Sequence, residues 1–180
     1  MNTKEKIAEI AFQLFTQNGY KATSIAQLVT NSGLSKGAFY HHFKSKQAVY
    51  EYVIDCYFLS YYRDFDWVLF EKLTLDEFKD EITNMYIEFI SQIKILTQNN
   101  PSKYFILFFE AYNNMTDFKN VVQTFYKTFK EVLSKKHRAG KKTTVEVGEK
   151  EAMNMITKFE GLFFWFALFP EEDIHQYLNN

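Results

Sequence analysis

Apolar side chains recur at helical spacing along most of the 180-residue chain. In the first segment Ile7, Ile10, Leu14 and Phe15 stand at i, i+3, i+7 and i+8, which places them on one face of a helix over 3–18. The same spacing predicts further helices over about 24–31, 36–42, 46–67, 75–97, 101–114, 117–139 and 149–169, a short one over 171–178, and a polar loop over 141–148. Because only two prolines and six glycines interrupt the chain, the pattern predicts an all-α fold.

Short polar residues stand where several of these helices should begin. Such side chains cap a helix by accepting hydrogen bonds from its first free backbone N–H groups. The candidate caps are Thr3, Thr23, Ser35, Ser45, Thr74 with Glu77 as a capping box, and Asn100 before Pro101. Gly19 and Gly140 stand where helices should end, and Pro170 should end the last long helix.

Two short predicted helices, over 24–31 and 36–42, are joined by the turn residues Asn31, Ser32 and Gly33. Two short helices joined by a tight glycine turn are typical of the helix-turn-helix motif, whose second helix enters the major groove of DNA. The chain therefore predicts an N-terminal three-helix DNA-binding domain, followed by a larger helical domain.

The second of these helices has two distinct faces. If Phe39 points to the core, Gly37 and His41 lie on the opposite side at about 100° per residue, with Lys36 and Tyr40 on the flanks. Lysine can contact a phosphate or a guanine edge, and tyrosine can bond a phosphate or touch a thymine methyl group. Gly37 has no side chain and would let the helix backbone approach DNA closely. A plain solvated face is the alternative interpretation.

Charge is distributed unevenly along the chain. Residues 1–50 carry six lysines against two glutamates, a net charge of +4, whereas the whole chain carries −1. The remainder is therefore acidic, and only the N-terminal segment suits a polyanionic partner. We expect a helix-turn-helix domain over 1–46 and a ligand-binding and dimerisation domain over 47–180.

Several classes of function find no support in the sequence. No nucleophile motif, phosphate-cradling glycine loop or metal-ligand spacing is present, so we expect neither an enzyme nor a cofactor. The adjacent His41 and His42 point about 100° apart on a helix and have no acid or cysteine beside them, so we expect no metal site. Cys56 is the only cysteine, which fits a reducing compartment. The longest apolar run, 162–169, is shorter than the roughly 20 residues that span a membrane, and we expect a soluble, cytoplasmic protein.

The stretch TSIAQLVTNSGLSKGAFYHHFKSKQAVYEYV, residues 23–53, resembles the DNA-binding domain of the TetR (tetracycline-repressor) family of bacterial transcription regulators. The residues that carry the resemblance, at the family's spacing, are Thr23, Ile25, Leu28, Gly33, Ser35, Gly37, Tyr40, Phe43 and Lys46. Residues 11–20, AFQLFTQNGY, match the family's first helix. Two departures are Val29, where the family usually has alanine, and Ser32, which replaces a common small apolar residue.

The resemblance implies which residues touch DNA. The implied phosphate contacts are Thr23 or Ser24, Tyr40 and Lys46. The implied base-edge contacts are Lys36, Gly37, Ala38 and His41, and the family often has a histidine or tyrosine approaching the DNA backbone at the position of His42. Ser35, which caps the helix that carries these residues, completes the candidate DNA-binding set.

The larger domain is rich in side chains that could line a ligand pocket. The candidates are Tyr61, Tyr86, Phe89, Phe105, Phe108, Phe109, Glu110, Tyr112, Phe159 and Phe163. An aromatic stripe at helical spacing also fits an ordinary core, so both interpretations stay open. Glu88, Glu110 and Glu160 each stand beside apolar helical faces, where one of them could meet a cationic ligand, hold a polar network, or simply be exposed or salt-bridged.

The run LFFWFALF, residues 162–169, is apolar all round its helix and must be covered on several sides. The resemblance implies that the last two helices meet a second copy, with Phe164, Phe166 and Ala167 as candidate contacts. It further implies a homodimeric one-component repressor that binds a pseudo-palindromic operator in double-stranded DNA and is released by a small, largely hydrophobic or aromatic ligand. The alternative is a DNA-binding regulator or architectural factor without such a ligand.

Overall fold

The computed structural model describes residues 2–173 and 175–178, and within them the backbone forms helices and connecting segments without strands. In chain order the helices are α1 Thr3–Asn18, α2 Ile25–Ser32, α3 Lys36–His42, α4 Lys46–Ile54, α5 Ser60–Arg63, α6 Trp67–Lys72, α7 Leu75–Leu96, α8 Ser102–Asn114, α9 Thr116–Lys141, α10 Val145–Leu168 and α11 His175–Leu178. A π-helical segment, Asp55–Leu59, joins α4 to α5. The predicted all-α fold is confirmed. Over the same described ranges, no helix combines the length and apolar character that crossing a membrane requires.

The packing divides the chain into two compact units. The first unit contains Met1–Arg63 and Lys103–Lys119, and the second unit contains Asp64–Ser102 and Asn120–Asn180. Nearly all of α8 therefore packs with the N-terminal helices, although about 40 residues of the second unit precede it in sequence. The domain boundary expected at residue 46 stays a prediction.

Phe58, in the π-helical segment, connects helices within the first unit. Its side chain is fully buried, and its ring centroid lies 4.4 Å from that of Tyr104 and 6.4 Å from that of Phe12. Tyr104 belongs to α8 and Phe12 to α1, so this one ring joins the two helices. Aromatic pairs at such distances contribute beyond the area that they bury, which explains why α8 belongs to the first unit.

The helix expected over 46–67 is shorter in the structure, because α5 ends at Arg63. Asp66 then begins α6 by accepting a hydrogen bond from the N–H of Leu69 at 2.9 Å. Phe65, just before this cap, is buried and packs on Phe70 with ring centroids 4.5 Å apart. The burial of Phe65 accounts for a break that the helical spacing of the sequence does not reveal.

Two of the predicted N-caps lie one residue away from the residue that caps the helix in the structure. Asn2, and not Thr3, caps α1, since its side-chain oxygen accepts from the N–H of Glu5 at 3.0 Å. Ser24, and not Thr23, caps α2 in the same way. The predicted caps Ser35, Ser45 and Thr74 are confirmed.

The polar loop expected over 141–148 is wrong, because only 142–144 lie outside the helices. Helix α9 continues past Gly140 to Lys141. Thr144 then caps α10 by accepting from the N–H of Val147 at 3.3 Å. The β-branched residues that follow this cap lower the helix propensity of the segment, but they do not prevent the helix.

Helices α9 and α10 approach each other closely at Gly148, in the second unit. A Cβ atom at this position would lie 2.7 Å from Cγ of Arg138 and 2.9 Å from the backbone oxygen of Ser134. Both distances are shorter than non-bonded heavy atoms tolerate in a packed interior. The absence of a side chain at Gly148 is therefore what permits this helix crossing.

Only one of the three candidate interface residues on α10 presents its side chain to the surface. Phe166 and Ala167 expose only 1% and 8% of their surfaces and belong to the core of the second unit. This burial contradicts a role for them in contacting a second copy, because little surface is left to cover. Phe164 is 57% exposed and remains a candidate.

Candidate functional site

Helices α2 and α3 meet at a tight turn built around Gly33. This residue has the left-handed conformation, with φ 68° and ψ 13°, which suits glycine because no Cβ opposes it. Its N–H donates to the carbonyl of Thr30 at 3.2 Å. The hydroxyl of the buried Ser32 donates to the carbonyl of Val29 at 2.7 Å and accepts from the N–H of Leu34 at 3.3 Å. Ser32, a departure from the family pattern, thus stabilises the turn that places α3.

Helix α3 is anchored on one face and open on the other. The hydroxyl of Ser35 caps it by accepting from the N–H of Ala38 at 3.2 Å, and Phe39 is fully buried. Of the residues expected to touch DNA, those exposed on α3 are Lys36, Gly37, Ala38 and His41, while Tyr40 and His42 are half-buried on the flanks. The outward face that the helical spacing predicts is therefore present.

Nothing in the described chain fills the space beside Gly37. A Cβ atom at this position would have no heavy atom within 4 Å. Glycine inside a helix costs about 0.5–1 kcal/mol relative to alanine. The fold gains nothing from this glycine, whereas the open space suits a partner that approaches the helix backbone.

The helix-turn-helix carries positive formal charge only. No acidic residue occurs between Glu9 and Glu51, whereas lysines stand at 21, 36, 44 and 46. The ammonium of Lys44 donates to the carbonyl of Tyr40 at 3.0 Å and so neutralises the C-terminal end of α3. This segment suits a phosphate backbone electrostatically.

Thr23 and Ser24, the alternative phosphate contacts, have different environments. Thr23 is fully buried, and its hydroxyl donates to the carbonyls of Gly19 at 2.9 Å and Leu14 at 3.3 Å. A phosphate cannot reach that hydroxyl, so the structure contradicts the Thr23 alternative. Ser24 is exposed at the start of α2 and is the one of the two that a phosphate could contact.

Lys46 lies half-buried at the first position of α4, with its ammonium directed at the connection between α1 and α2. Its Nζ donates to the carbonyls of Tyr20 and Thr23, both at 2.9 Å. In the structure this side chain therefore meets backbone carbonyls, and its implied phosphate contact stays a prediction. Sequence reasoning missed the role of Tyr20, whose ring centroid lies 4.4 Å from this Nζ. The only sign of this role in the sequence is that an aromatic residue directly follows Gly19.

The ten candidate pocket residues divide between the two units. Those in the second unit are Tyr86, Phe89, Phe159 and Phe163, and those in the first unit are Tyr61, Phe105, Phe108, Phe109, Glu110 and Tyr112. In the second unit, the ring centroids of Tyr86 and Phe159 lie 4.7 Å apart, and those of Phe89 and Phe163 lie 5.1 Å apart. In the first unit, Phe108 is half-buried and packs against Phe58, Phe118 and Tyr112, and Phe109 is 54% exposed. The stacked pair of Tyr86 and Phe159 in the second unit lies beside a carboxylate.

Glu160 provides the carboxylate beside that stacked pair. Its Oε1 accepts hydrogen bonds from the hydroxyls of Tyr86 and Tyr126, the latter at 2.7 Å. Burial raises the pKa of the Glu160 carboxyl, because the charged form loses hydration, and the two tyrosine hydroxyls oppose that rise. Sequence reasoning missed Tyr126, which no motif marks. Among the three carboxylates considered, Glu160 holds the polar network, whereas Glu88 is exposed.

The two adjacent histidines of α3 lie with their rings edge to face. The ring planes of His41 and His42 lie at 80° to each other, with centroids 5.4 Å apart. Over residues 2–173 and 175–178, no three side chains of histidine, cysteine, aspartate or glutamate gather closely enough to hold a metal ion.

Comparison with known proteins points to the same N-terminal segment. Residues 7–53 match the family described as bacterial regulatory proteins, tetR family. The chain is 48% identical over 46 residues to the HTH-type transcriptional regulator YerO of Bacillus subtilis (strain 168), and 46% identical over 50 residues to the HTH-type transcriptional regulator QacR of Staphylococcus aureus. These matches cover 26% and 28% of this chain, but only 16% and 27% of the two relatives. The chain thus spans less than a third of the length of these curated relatives.

A solved structure resembles the chain over nearly its whole length. The transcriptional regulator from Aquifex aeolicus VF5 covers 99% of this chain and 94% of its own, with a TM-score of 0.65 and 22% sequence identity. At this identity the likeness shows the fold alone, an N-terminal helix-turn-helix followed by a helical C-terminal part. With the match over residues 7–53, it confirms the resemblance read from the sequence: the N-terminal segment matches the tetR family of bacterial regulatory proteins, and the chain has the fold of the solved regulator.

Proposed function

We propose that the chain is a transcriptional repressor of the bacterial cytoplasm that reads duplex DNA with the exposed face of α3. The supporting observation is that Lys36, Gly37 and His41 are exposed on a short helix anchored by the buried Phe39. Lys36 supplies a charge for a phosphate or a guanine edge, and His41 supplies a ring nitrogen for a base edge. Gly37 lets the helix backbone approach the groove.

Two copies of the chain bind one operator in this proposal. The exposed apolar side chains of α10 that a second copy could cover are Met153, Phe164, Trp165 and Leu168. Covering apolar surface stabilises a complex by about 25 cal/mol per Å² before the cost of association. Two recognition helices related by a twofold axis would meet half-sites about 34–36 Å apart, which makes the operator a pseudo-palindrome.

Selection from a pool of randomised duplexes tests this proposal. We expect the purified chain to enrich a pseudo-palindrome from duplexes of about 40 base pairs, long enough for two half-sites one helical turn apart. Light scattering should find an even number of chains on each duplex. Enrichment of an asymmetric site bound by a single chain would contradict the dimer, and no enrichment at all would contradict sequence-specific binding.

A small, largely hydrophobic or aromatic ligand releases the DNA in this proposal, from a site around Glu160 in the second unit. The stacked rings of Tyr86 and Phe159 would provide apolar walls, and the carboxylate would provide a polar group for orientation. Ligand and DNA would weaken each other's binding by the same factor, since both act on one conformational equilibrium. A regulator without such a ligand is the alternative, because the same rings also fit a core.

Glu160→Gln is expected to raise the melting temperature at neutral pH and to leave it nearly unchanged at acid pH. Because burial raises the pKa of this carboxyl, the folded chain holds the proton more tightly than the unfolded chain, and stability falls as pH rises between the two pKa values. Glutamine does not titrate, and its carbonyl oxygen can accept from the same two tyrosine hydroxyls. Melting curves from about pH 4 to 8 measure the difference. Glu88→Gln, at an exposed position of α7, should show no such trend, and equal trends in both variants would contradict the burial argument.

The same variant tests the ligand site. Lipophilic cations and neutral aromatic compounds are screened for those that raise the melting temperature and release the selected duplex. A cation that acts through Glu160 should lose both effects in Glu160→Gln, because its charge partner is removed, whereas a neutral aromatic compound should keep them. If no compound of either class releases the duplex, the regulator without a ligand is favoured.

A further inference from the structure

We propose, building on the DNA-binding function above, that Lys46 is a positioning residue whose ammonium holds the connection between α1 and α2 in the shape that presents α2 to the DNA backbone. On this view Lys46 does not contact a phosphate itself. Its effect on DNA passes through Ser24, the exposed residue at the start of α2.

All the donors of the Lys46 ammonium are directed at one stretch of backbone. Its Nζ lies 2.9 Å from the carbonyl oxygens of Tyr20 and Thr23 and 3.4 Å from that of Lys21. A lysine ammonium has three donors and no acceptor. No donor is left for a phosphate unless one of these hydrogen bonds breaks.

The surroundings of the ammonium compensate its charge. Besides the carbonyl dipoles, the ring of Tyr20 faces Nζ with its centroid 4.4 Å away, and a ring face attracts a partly desolvated cation. That ring is fixed in turn, because the Tyr20 hydroxyl donates to Oε1 of Gln47 at 2.7 Å and its ring centroid lies 4.4 Å from that of Tyr50. Lys46 therefore occupies a site formed by neutral acceptors, instead of extending into solvent.

The connection that Lys46 holds determines where α2 begins. Gly19 ends α1 with φ 80°, and both the N–H and the hydroxyl of Thr23 donate to its carbonyl, at 3.2 and 2.9 Å. Ser24 follows directly and caps α2. If residues 20–23 loosen, Ser24 and the first N–H groups of α2 lose their defined position.

The hydrogen bonds of Lys46 also join distant parts of the sequence. Those to Thr23 and Tyr20 connect residues 23 and 26 positions apart. The whole of α2, the turn and α3 lies between the bonded residues. One ammonium thus closes the loop of chain that contains the helix-turn-helix, which fixes the start of α2 against the start of α4.

Lys46→Met separates the two possible roles, because it keeps the aliphatic stem and removes the donors. Two properties are measured. One is amide exchange over residues 19–24. The other is the slope of log affinity against log salt concentration for a fluorescent random-sequence duplex of about 30 base pairs, whose magnitude falls by about 0.9 for each lost phosphate contact. We expect exchange over residues 19–24 to accelerate at least about tenfold and affinity to fall about tenfold, with the salt slope unchanged. The slope should persist because Ser24 and backbone N–H groups are neutral and release no counterions.

Lys36→Ala is the matched control, since Lys36 is exposed on α3. It should lower the salt slope by about 1 and leave amide exchange over residues 19–24 unchanged. If Lys46→Met behaves in that way, or changes neither measurement, the positioning role is wrong. If the wild-type chain does not bind the duplex at low salt, the proposed DNA-binding function fails, while the exchange data still decide whether Lys46 holds the connection.

Lys46→Arg covers the case in which the methionine variant does not fold. A planar guanidinium keeps the charge but cannot direct its donors at three converging carbonyls as an ammonium does. We therefore expect faster amide exchange over residues 19–24 and weaker binding in this variant as well. Wild-type affinity together with wild-type exchange in Lys46→Arg would overturn the inference, because charge alone would then suffice.

Discussion

Replacing Gly37 by leucine is expected to weaken operator binding by at least about tenfold and to leave the melting temperature unchanged or slightly higher. A side chain at this position meets nothing in the described chain, since a Cβ atom would have no neighbour within 4 Å. Leucine also favours the helix by about 0.5–1 kcal/mol relative to glycine. The same side chain would stand between the α3 backbone and the groove that it approaches. Fluorescence anisotropy with the selected operator and thermal melting followed by circular dichroism measure the two effects.

Asn84→Leu is the matched control for this substitution. Asn84 is exposed on α7 in the second unit, so the added apolar side chain is the same but lies outside the helix-turn-helix. This variant should bind the operator as the wild type does. Unchanged affinity in Gly37→Leu would mean that α3 does not approach DNA with this face, and a large fall in its melting temperature would mean that Gly37 serves the fold.

Local signals in the sequence predict most helix ends, because capping and turn chemistry act over a few residues. Ser35 and Ser45 cap the helices that they should cap, and Gly33 forms the predicted turn. The error at Thr23 has a tertiary cause. Both Thr23 and Ser24 are good caps by type, and the choice falls on Ser24 because the hydroxyl of Thr23 is buried against the carbonyl of Gly19. Burial of this kind cannot be read from neighbouring residues.

The candidate site shows the same division between local and long-range information. The exposed face of α3 follows from the helical period once Phe39 is placed inside. The role of Lys46 does not, because a lysine near a DNA-binding face looks the same whether its ammonium meets a phosphate or carbonyls. Its actual acceptors, the carbonyls of Tyr20 and Thr23, lie more than 20 residues earlier in sequence. The network around Glu160 likewise joins three helices, α7, α9 and α10.

Gly148→Ala is expected to lower the free energy of unfolding by about 1–3 kcal/mol, the usual cost of adding a carbon to a filled contact. The added Cβ would lie 2.7 Å from Cγ of Arg138, which a change of side-chain conformation could relieve. It would also lie 2.9 Å from the backbone oxygen of Ser134, which can move only if α9 and α10 separate. Separation of these helices would reduce packing along both of them, so the cost exceeds that of a single strained contact. Urea unfolding at a fixed protein concentration measures the change.

Gly161→Ala shows whether the effect belongs to this crossing or to glycine in helices generally. Gly161 lies in the same helix, α10, but a Cβ atom there would meet no heavy atom within 4 Å. Its replacement should raise the free energy of unfolding by about 0.5–1 kcal/mol, because alanine loses less conformational entropy in a helix than glycine does. The two variants make the same chemical change in one helix, and we expect them to shift stability in opposite directions. A rise in both would show that α9 and α10 can accommodate a methyl group where they cross.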